Sequence, residues 1–200
     1  MMNLAFLASN NGSGMRAVLA AIEAGELAAR AVLAVSNRKG APALEFARDH
    51  GVSTLVIPTL GDPDGADARL AQALSEARTD LVVLSGYLRK LGPLTLAAFC
   101  GRIINIHPAL LPRHGGEGLY GRRVHEAVIA AGDTLSGASV HLVDAEYDHG
   151  EILARVEISV TAGDDAGSLE ARVTAAEPRL LVETLRRIVS GDLRLIQGIQ

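Results

Sequence analysis

Two hundred residues are enough for one domain with a full core and few for two. A formal charge of −4 and a pI near 5.9 exclude a broad basic surface for nucleic-acid phosphates, but leave room for a local basic pocket that takes a small anion. The lone Cys100 cannot close an intramolecular disulfide, the N-terminus lacks the basic n-region of a signal peptide, and no apolar run approaches the ~18 residues of a membrane span, which together point to a soluble cytoplasmic protein.

Short apolar runs alternate with segments of helical period along the first half of the chain. The strands expected are Leu4–Ala8, Ala31–Ser36, Thr54–Pro58, Leu81–Ser85 and Ile103–Ile106, continuous in Val, Ile, Leu and Ala as strands covered on both faces are. Between them, Met15, Val18, Leu19 and Ile22 recur at helical spacing, as do Leu70, Ala73 and Leu74. Repeated strand–helix units predict an α/β fold of Rossmann-like type, a mainly parallel sheet with helices on both sides. Cys100, next to the fifth strand, reads as a small core residue.

Beyond Ile106 a Pro/Gly-rich loop runs to about Tyr120, followed by a helix to about Ala131. Ser139–Val143 and Ile152–Val160 lie too close together for a helical crossover and read as antiparallel strands joined by "DAEYDHGE". A helix from about Ser168 to Ser190 closes the chain, with Pro178 expected to kink or split it. No linker or repeat interrupts residues 1–200, so one domain is expected.

Ligands of open parallel sheets sit beyond the carboxyl ends of the strands. The segment after strand one, "SNNGSGMRA", opens a helix, so its backbone N–H groups and the helix dipole suit an anion, with Ser13 either capping the helix or donating to a phosphate. It also fits the dinucleotide fingerprint loosely, but Ser36-Asn37 stands where an acid would hold a ribose, and it is no P-loop. An ordinary strand-to-helix turn is the plainer reading. After strand five comes "NIHP". Residues two apart on a strand share a side, so Asn105 and His107 converge while Pro108 ends the ladder. Two side-chain N–H groups at one point suit an oxyanion, although a hydrogen-bonded core pair has the same signature.

"DAEYDHGE" offers Asp144, Glu146, Asp148 and Glu151. A carboxylate returned across the sheet end would orient His107 or move a proton; otherwise the cluster is a solvated turn. Five of the six histidines crowd one window, yet none has metal-ligand spacing, so no metal is expected, and His141 reads as support for the site.

Taken together, "LASNNGS", "VVLSGYLRKL", "RIINIHPALLP", "GASVHLVDAEYDHG" and "RVTAAE" resemble, in order and over almost the whole chain, the formyltransferases that use 10-formyltetrahydrofolate. Within them the "NGS" loop and short length match the branch that formylates glycinamide ribonucleotide in purine synthesis. The resemblance implies a formyltransferase fold with an antiparallel C-terminal strand and a catalytic trio of Asn105, His107 and Asp148. It implies that Asn11, Gly12, Ser13 and Gly14 hold the substrate phosphate and that Glu177 contacts the ribosyl portion. It places Leu88, Arg89, Leu91 and Leu96 in the pterin pocket, closed by Val143, Asp144, Ala145, Glu146 and Tyr147, with Ser139, His141 and Pro108 in support. The partners implied are the two small substrates, with no nucleic acid or membrane, and a monomer or homodimer.

Three positions depart from that pattern. Gly14 replaces an Asn, His149 replaces the first Gly of an Asp-Gly-Gly turn, and "HGGEGLYGRR" lengthens a connection and brings Arg122 and Arg123. That longer segment reads more readily as a surface loop than as part of the amine pocket. The rival readings are a formyltransferase for an amino-sugar nucleotide, a formyltetrahydrofolate hydrolase, from which the absence of an extra N-terminal domain distinguishes the chain, and an NAD- or nucleotide-binding module.

Overall fold

The computed structural model describes residues 1–195. β1 (Met2–Leu7) leads through a Gly-containing turn into α1 (Ser13–Glu23). β2 (Ala29–Ser36) leads into α2 (Pro42–Asp49), β3 (Ser53–Val56) into α3 (Pro63–Glu76), and β4 (Leu81–Leu84) into α4 (Pro93–Ala98). Pro42, Pro63 and Pro93 each occupy the first turn of their helix, where the missing N–H costs nothing and the fixed φ favours helix. β5 (Ile103–His107), α5 (Arg122–Ala130), β6 (Leu135–Leu142), β7 (Ile152–Ser159) and α6 (Ala166–Ser190) complete the chain.

The seven strands form one sheet in the order β3-β2-β1-β4-β5-β6-β7. The first five run parallel, β6 is antiparallel to β5, and β7 is antiparallel to β6. Period-two alternation sorts β1 between two cores. Leu4 and Phe6 pack with Met15 and Val18 of α1 and with Leu181 and Leu185 of α6, whereas Ala5 and Leu7 pack with Leu70 and Leu74 of α3 and with Phe99. At the far edge, the outer face of β7 is solvated, and its burial alternates accordingly.

Two expectations need correction. Pro178 does not split the last helix, which runs unbroken from Ala166 to Ser190. Proline withdraws one backbone hydrogen bond, but Leu169, Val173, Leu181 and Leu185 are fully buried on both sides of it and hold the helix by packing. Cys100 is not in the core but exposed in the turn between α4 and β5, where Phe99 is the buried residue. No helix among the described residues is long and apolar enough to cross a membrane.

Strand order reverses direction between β1 and β4, which opens a crevice where the turns after those strands part to opposite faces. α1 lies close to α6 beneath it. A methyl group added at Gly14 would sit 2.7 Å from Leu181 Cδ2 and 3.1 Å from Ser85 Oγ, so glycine at this position permits the contact. Because Leu181 is fully buried, Gly14→Ala is expected to destabilise the fold by about 1–3 kcal/mol, the usual cost of overpacking. Calorimetry checks this; an unchanged Tm would contradict the close approach.

Candidate active site

The crevice holds a cavity of about 780 Å³ that reaches from the start of α1 to the β6–β7 turn. At one end Gly12 caps α1 in a left-handed conformation (φ 61°) without any side-chain cap, so Ser13 is the first helical residue and does not take the capping role offered to it. The Met15 N–H donates to Ser85 Oγ at 3.0 Å, while the N–H groups of Ser13 and Gly14 find no acceptor among the described residues. Unspent amides at a helix start suit an anion. Asn37 ties turns together: Ser9 Oγ–H donates to its Oδ1 at 2.6 Å and accepts from the Leu88 N–H at 2.9 Å.

At the centre, the strand period brings Asn105 and His107 to one side of β5, opposite His141 and Ser139 of β6. The His141 Nδ1–H donates to the Leu142 carbonyl at 2.8 Å, so in the neutral ring Nε2 accepts from Asn105 Nδ2–H at 3.0 Å. One N–H of Asn105 is left for the cavity, which that residue lines. His107 Nε2–H donates to the His114 carbonyl at 2.8 Å, and Nδ1 faces Asp148 Oδ2 at 3.4 Å.

Asp148 arrives on the β6–β7 turn in a left-handed conformation (φ 55°). Its Oδ2 accepts the Gly116 N–H at 3.0 Å and its Oδ1 lies 3.4 Å from His141 Nε2. Glycine is required at 150, where a Cβ would meet the Leu142 carbonyl oxygen at 2.0 Å, but not at 149. His149 swings its exposed ring outward, 3.0 Å from Asp144, so the turn absorbs that departure.

Burial lowers the pKa of His107 below the ordinary histidine value although Asp148 pulls it upward, which leaves a neutral ring at neutral pH. For Asp148, burial alone would raise the carboxyl, but the two histidines and the Gly116 N–H outweigh it and hold the group below the usual carboxylate range. A buried ring beside a carboxylate is thus poised to receive a proton. Burial also pushes Glu177 of α6 up to about 7.

The remaining expected residues divide. Leu88, Arg89 and Leu91 line the cavity with Val143, Asp144, Ala145, Glu146 and Tyr147, and Pro108 lines its centre. Asn11, Gly12, Ser13, Gly14 and Glu177 line the other end. Leu96 does not reach it and packs under β4 against the core. Ser139 is buried behind the site, where its Oγ–H donates to the Ala109 carbonyl at 2.7 Å and accepts from the Leu111 N–H at 3.1 Å, fixing the exit of β5. Among the described residues no cluster of three His, Cys, Asp or Glu side chains has the arrangement of a metal site.

The long connection after β5 is exposed on its outer side, as a surface loop is, and borders the cavity on its inner side. Gly116 to Gly121 wall the cavity, and Gly116, Gly118 and Gly121 take positive φ values of 103°, 85° and 55° to bend it inward. Arg123 and His125 of α5 join this wall. His125 is 1% exposed and its Nδ1 has no partner. Three glycines in six residues were the available signal, since such spacing favours positive φ over an extended excursion into solvent.

The formyl transferase family profile matches residues 2–185, and the chain belongs to that family. The phosphoribosylglycinamide formyltransferase of Mycobacterium tuberculosis is 37% identical over 195 residues, covering 96% of this chain and 87% of the relative. The chloroplastic enzyme of that name from Arabidopsis thaliana is 40% identical over 194 residues, covering 96% of this chain, and the chain spans 66% of that relative's length. The crystal structure of glycinamide ribonucleotide transformylase 1 from Symbiobacterium toebii superposes with a TM-score of 0.89 at 32% identity, covering 99% of this chain and 92% of the other.

Protonation of His107 supplies a direct check on the site's electrostatics. Nitrogen-detected NMR titration is expected to place its pKa below 6.5, with the charged ring appearing only as pH falls through that value. A pKa above 6.5 would show that Asp148 outweighs burial.

Proposed function

We propose that the protein transfers the formyl group of 10-formyltetrahydrofolate to the amine of glycinamide ribonucleotide in de novo purine biosynthesis. The observation that carries this reading is the Asn105–His107–Asp148 cluster midway along a two-ended cavity, with free helix amides at one end and the Leu88–Leu91 and Val143–Tyr147 walls at the other. The amide end suits a phosphorylated substrate, and the other end, where Leu88, Leu91 and Val143 stand among Arg89, Asp144 and Glu146, suits a pterin with its apolar faces and polar edge.

The amine lone pair attacks the formyl carbon, so no side-chain nucleophile is required. A C–N bond forms, and the carbonyl π electrons move to oxygen beside the free N–H of Asn105. One such donor is typically worth about 3–4 kcal/mol in the barrier. The new ammonium passes a proton to His107 Nδ1, directly or through one water, and the Asp148 carboxylate stabilises the resulting imidazolium. That proton goes to the folate nitrogen N10 as its bond to the formyl carbon breaks, giving the formamide and tetrahydrofolate. The sequence pointed to an N–H of His107 at the oxyanion; the buried ring instead spends its Nε2–H on the His114 carbonyl and favours a neutral base that acquires its charge during the reaction. Holding both substrates in attack geometry supplies the rest.

The long glycine loop and Arg123 on the cavity wall favour one second reading, in which the amine belongs to an amino-sugar nucleotide. Turnover of purified protein with 10-formyltetrahydrofolate, comparing glycinamide ribonucleotide, amino-sugar nucleotides and water, is expected to be fastest with the first. A preference for either of the others would overturn the assignment. In thermal-shift titration a folate analogue is expected to raise Tm, and stabilisation by NAD alone would point to a nucleotide-binding module instead.

Glu177 sets a pH dependence for acceptor binding. Ribose hydroxyls donate to a carboxylate and therefore select its ionised form. With a free-state pKa of about 7, that form is depleted as pH falls. KM for the acceptor is expected to rise about tenfold per pH unit below 7 and to level off above it. Glu177→Gln should flatten the profile; an unchanged slope would remove Glu177 from the acceptor site.

A further inference from the structure

The segment that departs most from the family pattern touches both members of the central pair. His114 offers its carbonyl to His107 Nε2 at 2.8 Å, and two residues later the Gly116 N–H donates to Asp148 Oδ2 at 3.0 Å. Neither contact belongs to a helix or strand, so something else must hold this stretch in place. We propose that the tripeptide His114–Gly116, anchored by Asp133, is the positioning element of the His107–Asp148 pair, and that its carbonyl fixes which ring nitrogen of His107 exchanges the proton. The role in turnover rests on the formyl-transfer reading above; the tautomer does not.

Each of the three residues is constrained in its own way. His114 adopts a left-handed backbone (φ 54°), which an L-residue with a ring side chain keeps only when its surroundings over-determine it. The restraint is visible: His114 Nε2–H donates to Asp133 Oδ2 at 2.7 Å, and Asp133, its side chain 9% exposed, also pairs with Arg113. Gly115 lies flat against the acid, since a Cβ there would meet Leu111 Cδ2 at 2.5 Å and Asp148 Cβ at 3.1 Å. Gly116 takes φ 103°, open to glycine, and this orientation turns its N–H to the carboxylate.

The chemical consequence concerns a single proton. A carboxylate 3.4 Å from Nδ1 draws the proton of a neutral imidazole onto Nδ1, and a ring in that tautomer has no lone pair facing Asp148 with which to take a proton from the amine. The His114 carbonyl opposes this by holding the proton on Nε2, because a carbonyl can only accept. An orienting partner that selects the wrong tautomer disables a catalytic histidine even when every heavy atom stays in place.

The test reads tautomer and rate together in the full chain. Nitrogen-detected NMR of the histidines at pH 8 is expected to show His107 protonated on Nε2 in the wild type. Asp133→Ala should shift His107 toward the Nδ1–H form and lower kcat on the order of tenfold to a hundredfold, the scale of a misplaced catalytic group, with KM for both substrates within about twofold. Asp133→Asn keeps an oxygen acceptor for His114 Nε2–H and should recover most of the wild-type tautomer. A wild-type His107 protonated on Nδ1, or an Asp133→Ala protein with the wild-type pattern and kcat, would overturn the proposal. If Asp133→Ala fails to fold, His114→Gly, which keeps the backbone accessible but cuts the anchor, decides by the same readings. Because the tautomer is read on the free protein, failure to turn over any acceptor would count against the formyl-transfer reading and leave this one to its own outcome.

Discussion

A buried imidazole facing a carboxylate across 3.4 Å is the interaction around which the rest of the site is arranged. The ionised acid would not be tolerated there alone. The ring sits in the sheet where burial disfavours its charge, and the acid is kept ionised only by the histidines and an amide around it. Three separate parts of the chain supply this balance. β5 fixes the ring, the β6–β7 turn delivers the acid, and the segment after β5 closes on both. Removing the acid takes away the group that would stabilise a charged ring, and removing the ring takes away one of the groups that keep the acid ionised, so the pair is expected to respond as a unit.

The sheet makes that arrangement possible through its strand order. Reversal between β1 and β4 opens the crevice, and the antiparallel β6–β7 hairpin folds back so that its turn meets the end of β5. Long helix α6 then joins the two ends of the chain's chemistry. It packs against α1 below the free amides and against α5 beside the glycine loop, and it carries Glu177 into the cavity. Close packing at Gly14 and the carboxyl of Glu177 are therefore two consequences of one helix position.

Much of this was legible in the residues because it depends on local periodicity. Continuous Val/Ile/Leu runs mark strands buried on both faces, and a period of two puts Asn105 and His107 on one side without reference to any other element. What the chain did not reveal depends on distant packing. Pro178 reads as a break, yet buried leucines on either side carry the helix through it. Cys100 reads as core because it is apolar and next to a strand, but only the pitch of α4 decides that Phe99 turns inward instead. Leu96 matches its motif in sequence while lying behind the cavity, since motif spacing does not encode which face of an element a side chain takes. The glycine loop after His114 is exposed as a loop should be, but its second role as a cavity wall is not encoded locally for a related reason. Its inward course follows from positive φ values and a hydrogen bond to an acid thirty-two residues away, neither of which has a local pattern.

The most direct test of the account is a double-mutant cycle on single-turnover formyl transfer with His107→Ala, Asp148→Asn and the pair. Each single change is expected to slow the chemical step by about 10²–10⁴-fold, as loss of a general base or its charged partner does. Because the acid acts through the ring, the double variant should be scarcely slower than the slower of the two. Additive losses, with each residue contributing independently of the other, would contradict the central claim that His107 and Asp148 move the proton together.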